Sequence, residues 1–461
     1  MPERGASKQP RLFLLERREG IPIVTQRKIF WFWLPLAASW ALMTLESPTI
    51  QAAIARLPDV KTMLAAAGIV ISLEVTIESP VIMLLATSTA LAKTPQAYRM
   101  LRRFVLHLTI LLTVVAAAIA FVDPIYNGLV SGLMGIPGHI AEAAQPGMQV
   151  MTFWTMAIGW RRFYQGILIR FGQTRAVGYG TALRLVSSGV TAFSLAVFSD
   201  LPGVMVGACT WMAGVVSELI FAYLAVRPTV RDHLSGPDDP NQPGLTTWEI
   251  VKYHTPLGAT SLLMLLTHPL IGTGLARMAF PEENLAAWPV IFSIFLFFRS
   301  AGFALPEVVI ARLDSAEAIA PLRQFCLRVA VGSTLLMALV TATPLLSLYV
   351  RYVLGVTPEL VRFILPGALL GLLIPGLQAI QSWFWGVLMA GKVTNEVYWG
   401  MGLNLGVVAL TVGAGVLLEA PGVSAAVVAL SLGLIAETIF LWWRVRPVQA
   451  RMQLAPNPTV I

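Results

Sequence analysis

Charge is scarce in this chain of 461 residues. Only 12% are Asp, Glu, Lys or Arg, about half the share of a soluble domain. Cysteine is nearly absent. Cys209 and Cys326 both fall in apolar runs and read as small buried residues, which excludes a disulfide framework. There is no GxxxxGK[ST], no HExxH and no Cys/His metal spacing. ATP hydrolysis, a metal site, a cofactor and enzymatic chemistry are therefore not expected. Strict apolar–polar alternation is missing too, which excludes a membrane β-barrel. No cleavable signal peptide is recognised. The first 28 residues are polar and basic, apart from the run LFLL at 12–15, which is expected to lie on the membrane surface.

What the chain has in quantity is hydrophobic residues, 56% of the total. They fall in repeated runs of about 20, the length that crosses a bilayer. Twelve spans are read, at 29–55, 64–92, 103–122, 148–171, 177–199, 203–226, 253–278, 284–310, 327–349, 361–390, 395–418 and 422–443. The expected fold is an all-α membrane protein. The net charge of +8 does not point to nucleic acid, because the basic residues alternate between loops. Of the 32 Lys and Arg, 23 lie on the side of the termini, five on the other (Arg56, Lys61, Arg277, Arg351, Arg362) and four at membrane depth. That bias places both termini in the cytoplasm and the chain in the cell (cytoplasmic, or inner) membrane.

The chain is duplicated. Positions 35–56, PLAASWALMTLESPTIQAAIAR, recur at 256–277 as PLGATSLLMLLTHPLIGTGLAR, with ten of 22 residues identical and no gap. Further on, Gly203, Glu218 and Arg227 have the same spacing as Gly422, Glu437 and Arg446, and Gly166 and Gly180 match Gly386 and Gly400. Each half has six spans, an even number, so both enter the membrane in the same sense. Two parallel six-helix repeats related by a pseudo-twofold along the membrane normal follow. The divisions are a cytoplasmic tail at 1–28, a first lobe at 29–228, a cytoplasmic linker at 229–248 containing GPDDPNQPG, a second lobe at 249–446 and a tail at 447–461.

Ionisable groups in a bilayer cost roughly 3 kcal/mol or more, so they face a cavity or a partner. The candidates are Glu46, Glu74, Glu78, Arg161, Arg162, Arg184, Glu218, His268, Arg299, Glu307 and Glu437. With the 221-residue offset, Glu78-Ser79 matches Arg299-Ser300, and Ser47 matches His268. Unlike charges thus occupy matching places near the seam between lobes. Arg299, Arg161, Arg184, Ser300 and Ser47 are read as substrate-binding residues, and Glu46, Glu78 and His268 as proton-coupling residues. The plainer alternative is a structural ion pair between Glu78 and Arg299. Glu218 and Glu437, repeated in both halves, read as structural. Of Arg161 and Arg162, adjacent on one helix, one is expected to line a cavity and the other to snorkel or pair.

Proline marks the same region. Pro48 and Pro269 occupy equivalent positions, and Pro80 and Pro306 sit in spans 2 and 8. Each removes a backbone donor and leaves a carbonyl to be satisfied. Broken helices of this kind point to a binding site and to gating, so Pro48, Pro80 and Pro269 are read as helix breaks that gate. Tryptophans near span ends (Trp31, Trp33, Trp248, Trp288, Trp442, Trp443) read as interface anchors, and Trp383 and Trp385 as packing or cavity-lining residues.

Twelve spans in two parallel halves resemble the superfamily of multidrug and toxin extruders, oligosaccharide flippases and lipid-linked precursor flippases. A closer resemblance covers 160–218, where RRFYQGILIRFGQT, Arg184 and LPGVMVGACTWMAGVVSE look similar to the progressive ankylosis family. The family's arginines fall on Arg161 and Arg184, and its closing glutamate on Glu218. The resemblance implies efflux of small organic or phosphorylated anions such as citrate, ATP or pyrophosphate, which guanidinium groups suit. The expectation is therefore a secondary active transporter that exports a small anionic solute by alternating access, with H+ or Na+ coupling. The alternatives are a flippase for an anionic lipid-linked saccharide and a cation-coupled multidrug antiporter. Membrane lipid is the surrounding partner, and nothing demands more than a monomer.

Overall fold

The computed structural model describes residues 25–237, 244–313, 316–391, 393 and 395–454. Most of the expected N-terminal tail, with its LFLL run, lies outside the described residues, as do the centre of the linker and the end of the C-terminal tail.

The described residues form twelve helical passages and no strand. The first six are Gln26–Thr44 with Glu46–Ile54, Val60–Ile82 with Leu84–Leu91, Pro95–Phe121, Gly138–Val150 with Trp154–Arg170, Thr174–Phe198 and Gly203–His233. The second six are Thr247–Leu265 with Thr267–Leu275, Pro281–Phe303 with Leu305–Arg312, Ala316–Ala342, Pro358–Leu370 with Ile374–Ala390, Asn395–Leu417 and Gly422–Leu454. They are numbered spans 1 to 12. Ten are long and apolar enough to cross a membrane unaided, and span 10 adds an eleventh as a pair bent by 45°. Span 4, expected as one helix, is instead two helices of 13 and 17 residues joined by a short 3-10 turn. Neither alone reaches the roughly 20 residues a bilayer demands.

Caps fix several starts. Thr94 accepts from the Ala97 amide at 3.1 Å ahead of Pro95, and Thr246 and Glu249 form a reciprocal capping box. Two ends overrun expectation. Span 6 continues to His233 and span 12 to Leu454, with Pro228 and Pro447 inside them. Each helix therefore projects beyond the apolar run that hydropathy detects, which shortens the linker and the C-terminal tail.

The duplication is visible atom by atom. The interruptions of spans 1, 2, 7 and 8 fall at Leu45, Met83, Leu266 and Ala304, in pairs 221 residues apart. Left-handed residues cap spans 2 and 8 at Asp59 (φ 53°) and Phe280 (φ 58°), the same offset. Spans 2 and 8 meet across the seam, and there Gly68 stands against Pro289, again 221 apart. Equivalent residues touch each other only on a twofold axis, so the pseudo-axis passes between these two. A Cβ on Gly68 would sit 2.5 Å from Pro289 Cγ.

The two broken helices straddle this seam. The lower half of span 1 leaves its own repeat and packs on spans 8 and 9. There Trp33 Nε1 donates to the Ala301 carbonyl at 3.0 Å, and the Trp33 ring meets Phe325 edge-on. The upper half, Glu46–Ile54, stays with spans 5 and 6 of its own repeat. Span 7 mirrors this. Its lower half lies on spans 2 and 3, and His254 is hydrogen-bonded to Thr87 at 2.9 Å.

At the end opposite the termini, the repeats hold each other reciprocally. Arg56 donates to the Val353 carbonyl at 2.9 Å. Arg277 donates to the carbonyls of Leu133 and Met134, at 2.5 and 2.6 Å. The acceptors lie on or just after two equivalent π-helical turns, Gly128–Leu133 and Tyr349–Val353. Lys61 bridges Glu283 (3.1 Å) and Glu359 (3.7 Å), while His139 approaches Glu282 at 3.2 Å.

Candidate functional site

A cavity of about 450 Å³ lies between the repeats, lined by spans 1, 2, 4, 5, 6, 7, 8, 10, 11 and 12. Its walls are mostly apolar, with Trp40, Trp154, Trp211, Trp288, Trp385 and Phe292 prominent. Charged and polar side chains enter from both repeats. The broken halves of spans 1 and 7 bring Glu46, Ser47 and His268; spans 2 and 8 bring Glu78 and Arg299; spans 4 and 5 bring Arg161, Arg162 and Arg184.

On the first-repeat side most of these charges are neutralised locally. Arg184 holds Glu46 bidentately, with Nε–Oε1 at 3.0 Å and Nη2–Oε2 at 2.5 Å, and Ser188 donates to the same carboxylate at 2.8 Å. Arg161 pairs with Glu218, which also accepts from Gln165 at 2.9 Å and lies 3.7 Å from Arg184. These pairs are buried, Arg161 to 3% exposure and Glu218 to 1%. Removing one partner of such a pair leaves a bare charge in low dielectric. Glu78 lines the cavity with one carboxylate oxygen unpartnered among the described residues.

The second-repeat side repeats the scaffold with different chemistry. Glu437 occupies the place of Glu218, and Gly400 makes room for it as Gly180 does for Glu218. An added Cβ would stand 3.3 Å from Glu437 Cγ and 3.4 Å from Glu218 Cγ. Glu437 accepts from Trp385 Nε1 at 3.2 Å and Asn404 Nδ2 at 2.8 Å. By the repeat spacing, Gln381, Trp385 and Asn404 stand where Arg161, Gln165 and Arg184 stand in the first half. Arg299 donates to Gln378 Oε1 at 2.5 and 3.1 Å and lies over the Phe303 ring, with no carboxylate partner among the described residues.

Arg299, Arg161, Arg184, Ser47, Glu46, Glu78 and His268 thus converge on one cavity. The rest do not. Ser300 turns back, donating to the Phe297 carbonyl at 2.6 Å, a common way for a membrane serine to satisfy itself. Pro48, Pro80 and Pro269 lie outside the wall. They act through the backbone, and at Pro80 the freed Thr76 carbonyl is taken by Ser79 Oγ at 2.8 Å. Glu307 is exposed on span 8 rather than turned inward. Glu74 is fully buried behind the wall, both carboxylate oxygens without a partner among the described residues.

One reading of the sequence changes here. Glu78 and Arg299 do not form the structural pair that was the plainer alternative; Arg299 turns to Gln378 instead. Arg161 and Arg162 both lie in the wall, Arg161 paired with Glu218 and Arg162 with no carboxylate partner among the described residues. The neutral groups Gln51, Gln378, Gln381 and Asn404 also line it. A search for charge passes over them, and only the repeat alignment marks Gln381 and Asn404.

No family model matches the chain, and no curated protein does, so the resemblance to the progressive ankylosis family gains no support there. Solved structures do match. A multidrug resistance MATE family transporter of the MOP superfamily in its inward-facing conformation has a TM-score of 0.68 at 14% identity, over 89% of this chain and 96% of its own. An outward-facing conformation gives 0.65 at 15%, over 93% and 97%. A MOP superfamily transporter from Pyrococcus furiosus, described as having a binding pocket of reverse polarity that suggests a different function, gives 0.62 at 16%, over 94% and 98%. Ten or eleven apolar spans, a duplicated six-helix repeat and near-complete coverage agree on one architecture: the chain has the fold of the MATE transporters of the MOP superfamily.

Proposed function

We propose that this protein is a secondary active transporter that moves a small organic or phosphorylated anion by alternating access. The carrying observation is that Arg299 and Arg162 line one interlobe cavity from opposite repeats with no carboxylate partner among the described residues. Guanidinium is the planar, permanently charged donor that suits carboxylate and phosphate oxygens. Arg161 and Arg184, expected to bind solute, are committed to Glu218 and Glu46. They hold the wall in place and lend field rather than contact. A cavity of about 450 Å³ falls in the range that encloses small ligands, which argues against a lipid-linked saccharide as cargo.

The remaining divisions fit this reading. The two six-span lobes rock about the Gly68–Pro289 seam. The inner-membrane location and cytoplasmic termini rest on the 23-to-five bias of basic residues. Counterflow of radiolabelled citrate, ATP and pyrophosphate in proteoliposomes tests the function. Arg299→Ala and Arg162→Ala are each expected to lower uptake at least tenfold. Parent-like flux in both would refute the solute role. A second reading, a cation-coupled multidrug antiporter, is favoured by the aromatic walls and by Glu46, Glu78 and Glu437 in the cavity. It predicts drug resistance on overexpression and flux that survives loss of Arg299.

A further inference from the structure

We infer that Glu437 is a proton-binding site of this transporter, and that proton uptake there and anion binding on Arg299 reinforce each other. The inference comes from comparing the two copies of one scaffold. In the first repeat Glu218 is held by Arg161, with Arg184 3.7 Å away, both permanently charged. In the second, the equivalent partners of Glu437 are Trp385, Asn404 and Gln381, all neutral. The pocket shape is retained, down to the paired glycines Gly180 and Gly400, while the countercharges are gone.

A carboxylate at membrane depth without a cation is costly, and the cheapest remedy is a proton. Glu437 is 2% exposed yet lines the cavity, so water in the cavity can deliver one. The groups facing it are N–H donors rather than a cage of oxygens, which suits a carboxyl that alternates between two protonation states better than a bound Na+, a hard cation that takes oxygen ligands. Span 10 presents Gln381 and Trp385, span 11 presents Asn404, and span 8 presents Arg299, the charged group whose field reaches it. His268, from span 7, stands in the same cavity wall.

The consequence is a coupling between solute and proton. When Glu437 is ionised, its charge offsets that of Arg299. When an O–H bond forms on Glu437, with the proton taken from cavity water, Arg299 keeps its full charge for an anion. The proton returns to water when the cavity opens to the other side, and no bond to the solute is made. Each ligand therefore raises the affinity for the other by the same factor, and anion and proton travel together. Only this last step rests on the proposed function.

The test uses no solute. Infrared difference spectroscopy of the full chain in lipid, across a pH titration, reads the carbonyl stretch of a protonated carboxyl. Beside the absorption of Glu74 and Glu78, whose carboxylates keep oxygens unpartnered among the described residues, the parent is expected to show a pH-dependent component that Glu437→Gln removes and Glu218→Gln retains. Gln381→Arg, which restores the position of Arg161, is expected to remove it with Glu437 still present, and it decides the matter if Glu437→Gln fails to fold. A Glu437→Gln or Gln381→Arg spectrum that keeps the whole of the parent's absorption, to which Glu74 and Glu78 also contribute, overturns the inference, as does equal loss in Glu218→Gln. Because no transport is measured, failure here leaves the anion-carrier reading standing, and failure of the flux assay leaves this site standing.

Discussion

At the scale of single residues, this cavity contrasts paired charges with unpaired ones. Arg161 and Glu218 are both almost fully buried and find each other across 57 residues of chain. Such a pair is poor evidence of net stability, but breaking it by removing one partner costs about 3–5 kcal/mol, because the other is left charged and alone. Glu218→Gln is therefore expected to lower the melting temperature of detergent-purified protein clearly, and more than Glu437→Gln, which abandons no arginine. Equal melting of the two variants would contradict the pairing. The sequence offered Arg161, Glu218 and Glu437 as candidates and could not say which would pair. Pairing depends on which helices become neighbours, and nothing local in RRFYQG says that Glu218 will stand beside it.

At the scale of elements, small residues set how closely helices approach. The glycine spacing that revealed the duplication has a steric cause. Gly166 lets span 4 lie against span 2, where an added Cβ would come 2.5 Å from the Leu85 carbonyl oxygen, and Gly386 gives Val309 the same access in the second half. Gly68 has the further duty of meeting Pro289 on the pseudo-axis. Gly68→Val is expected to force spans 2 and 8 apart and to destabilise the protein by about 1–3 kcal/mol, the usual cost of overpacking. A parent-like thermal melt would show that the seam is looser than described. The broken spans were legible from Pro48 and Pro269. That each broken half would pack on a different repeat was not, because a proline reports a missing hydrogen bond and says nothing of the neighbour beyond it.

At the scale of the molecule, the two repeats clasp each other at the end opposite the termini. Arg56 reaches into the π-helical turn at Tyr349–Val353, and Arg277 caps the one at Gly128–Leu133. The flanking charges are traded across the same end, Lys61 with Glu283 and Glu359, His139 with Glu282. These contacts hold that end closed, and the proposed alternating access would require them to part. In a protein whose Cys209 and Cys326 are replaced by Ala, the double variant Arg56→Ala, Arg277→Ala is expected to expose a cysteine placed at Ser293, now buried beneath the clasp. Labelling by a membrane-impermeant thiol reagent should rise several-fold over the single variants. Unchanged labelling would mean that the arginines brace the turns without closing the passage.

The sequence by itself determined that the chain crosses a membrane many times, that it is two copies of six spans, and where its helices break. Those properties follow from the one-dimensional order of apolar residues, glycines and prolines. Only the tertiary structure decided which arginines are paired with carboxylates and which are not, that Ser300 and Glu307 leave the cavity wall, and that Glu437 is met by neutral donors where its twin is met by arginine. Those depend on distances between spans far apart in the chain, and electrostatic energy in a low-dielectric interior varies steeply with such distances.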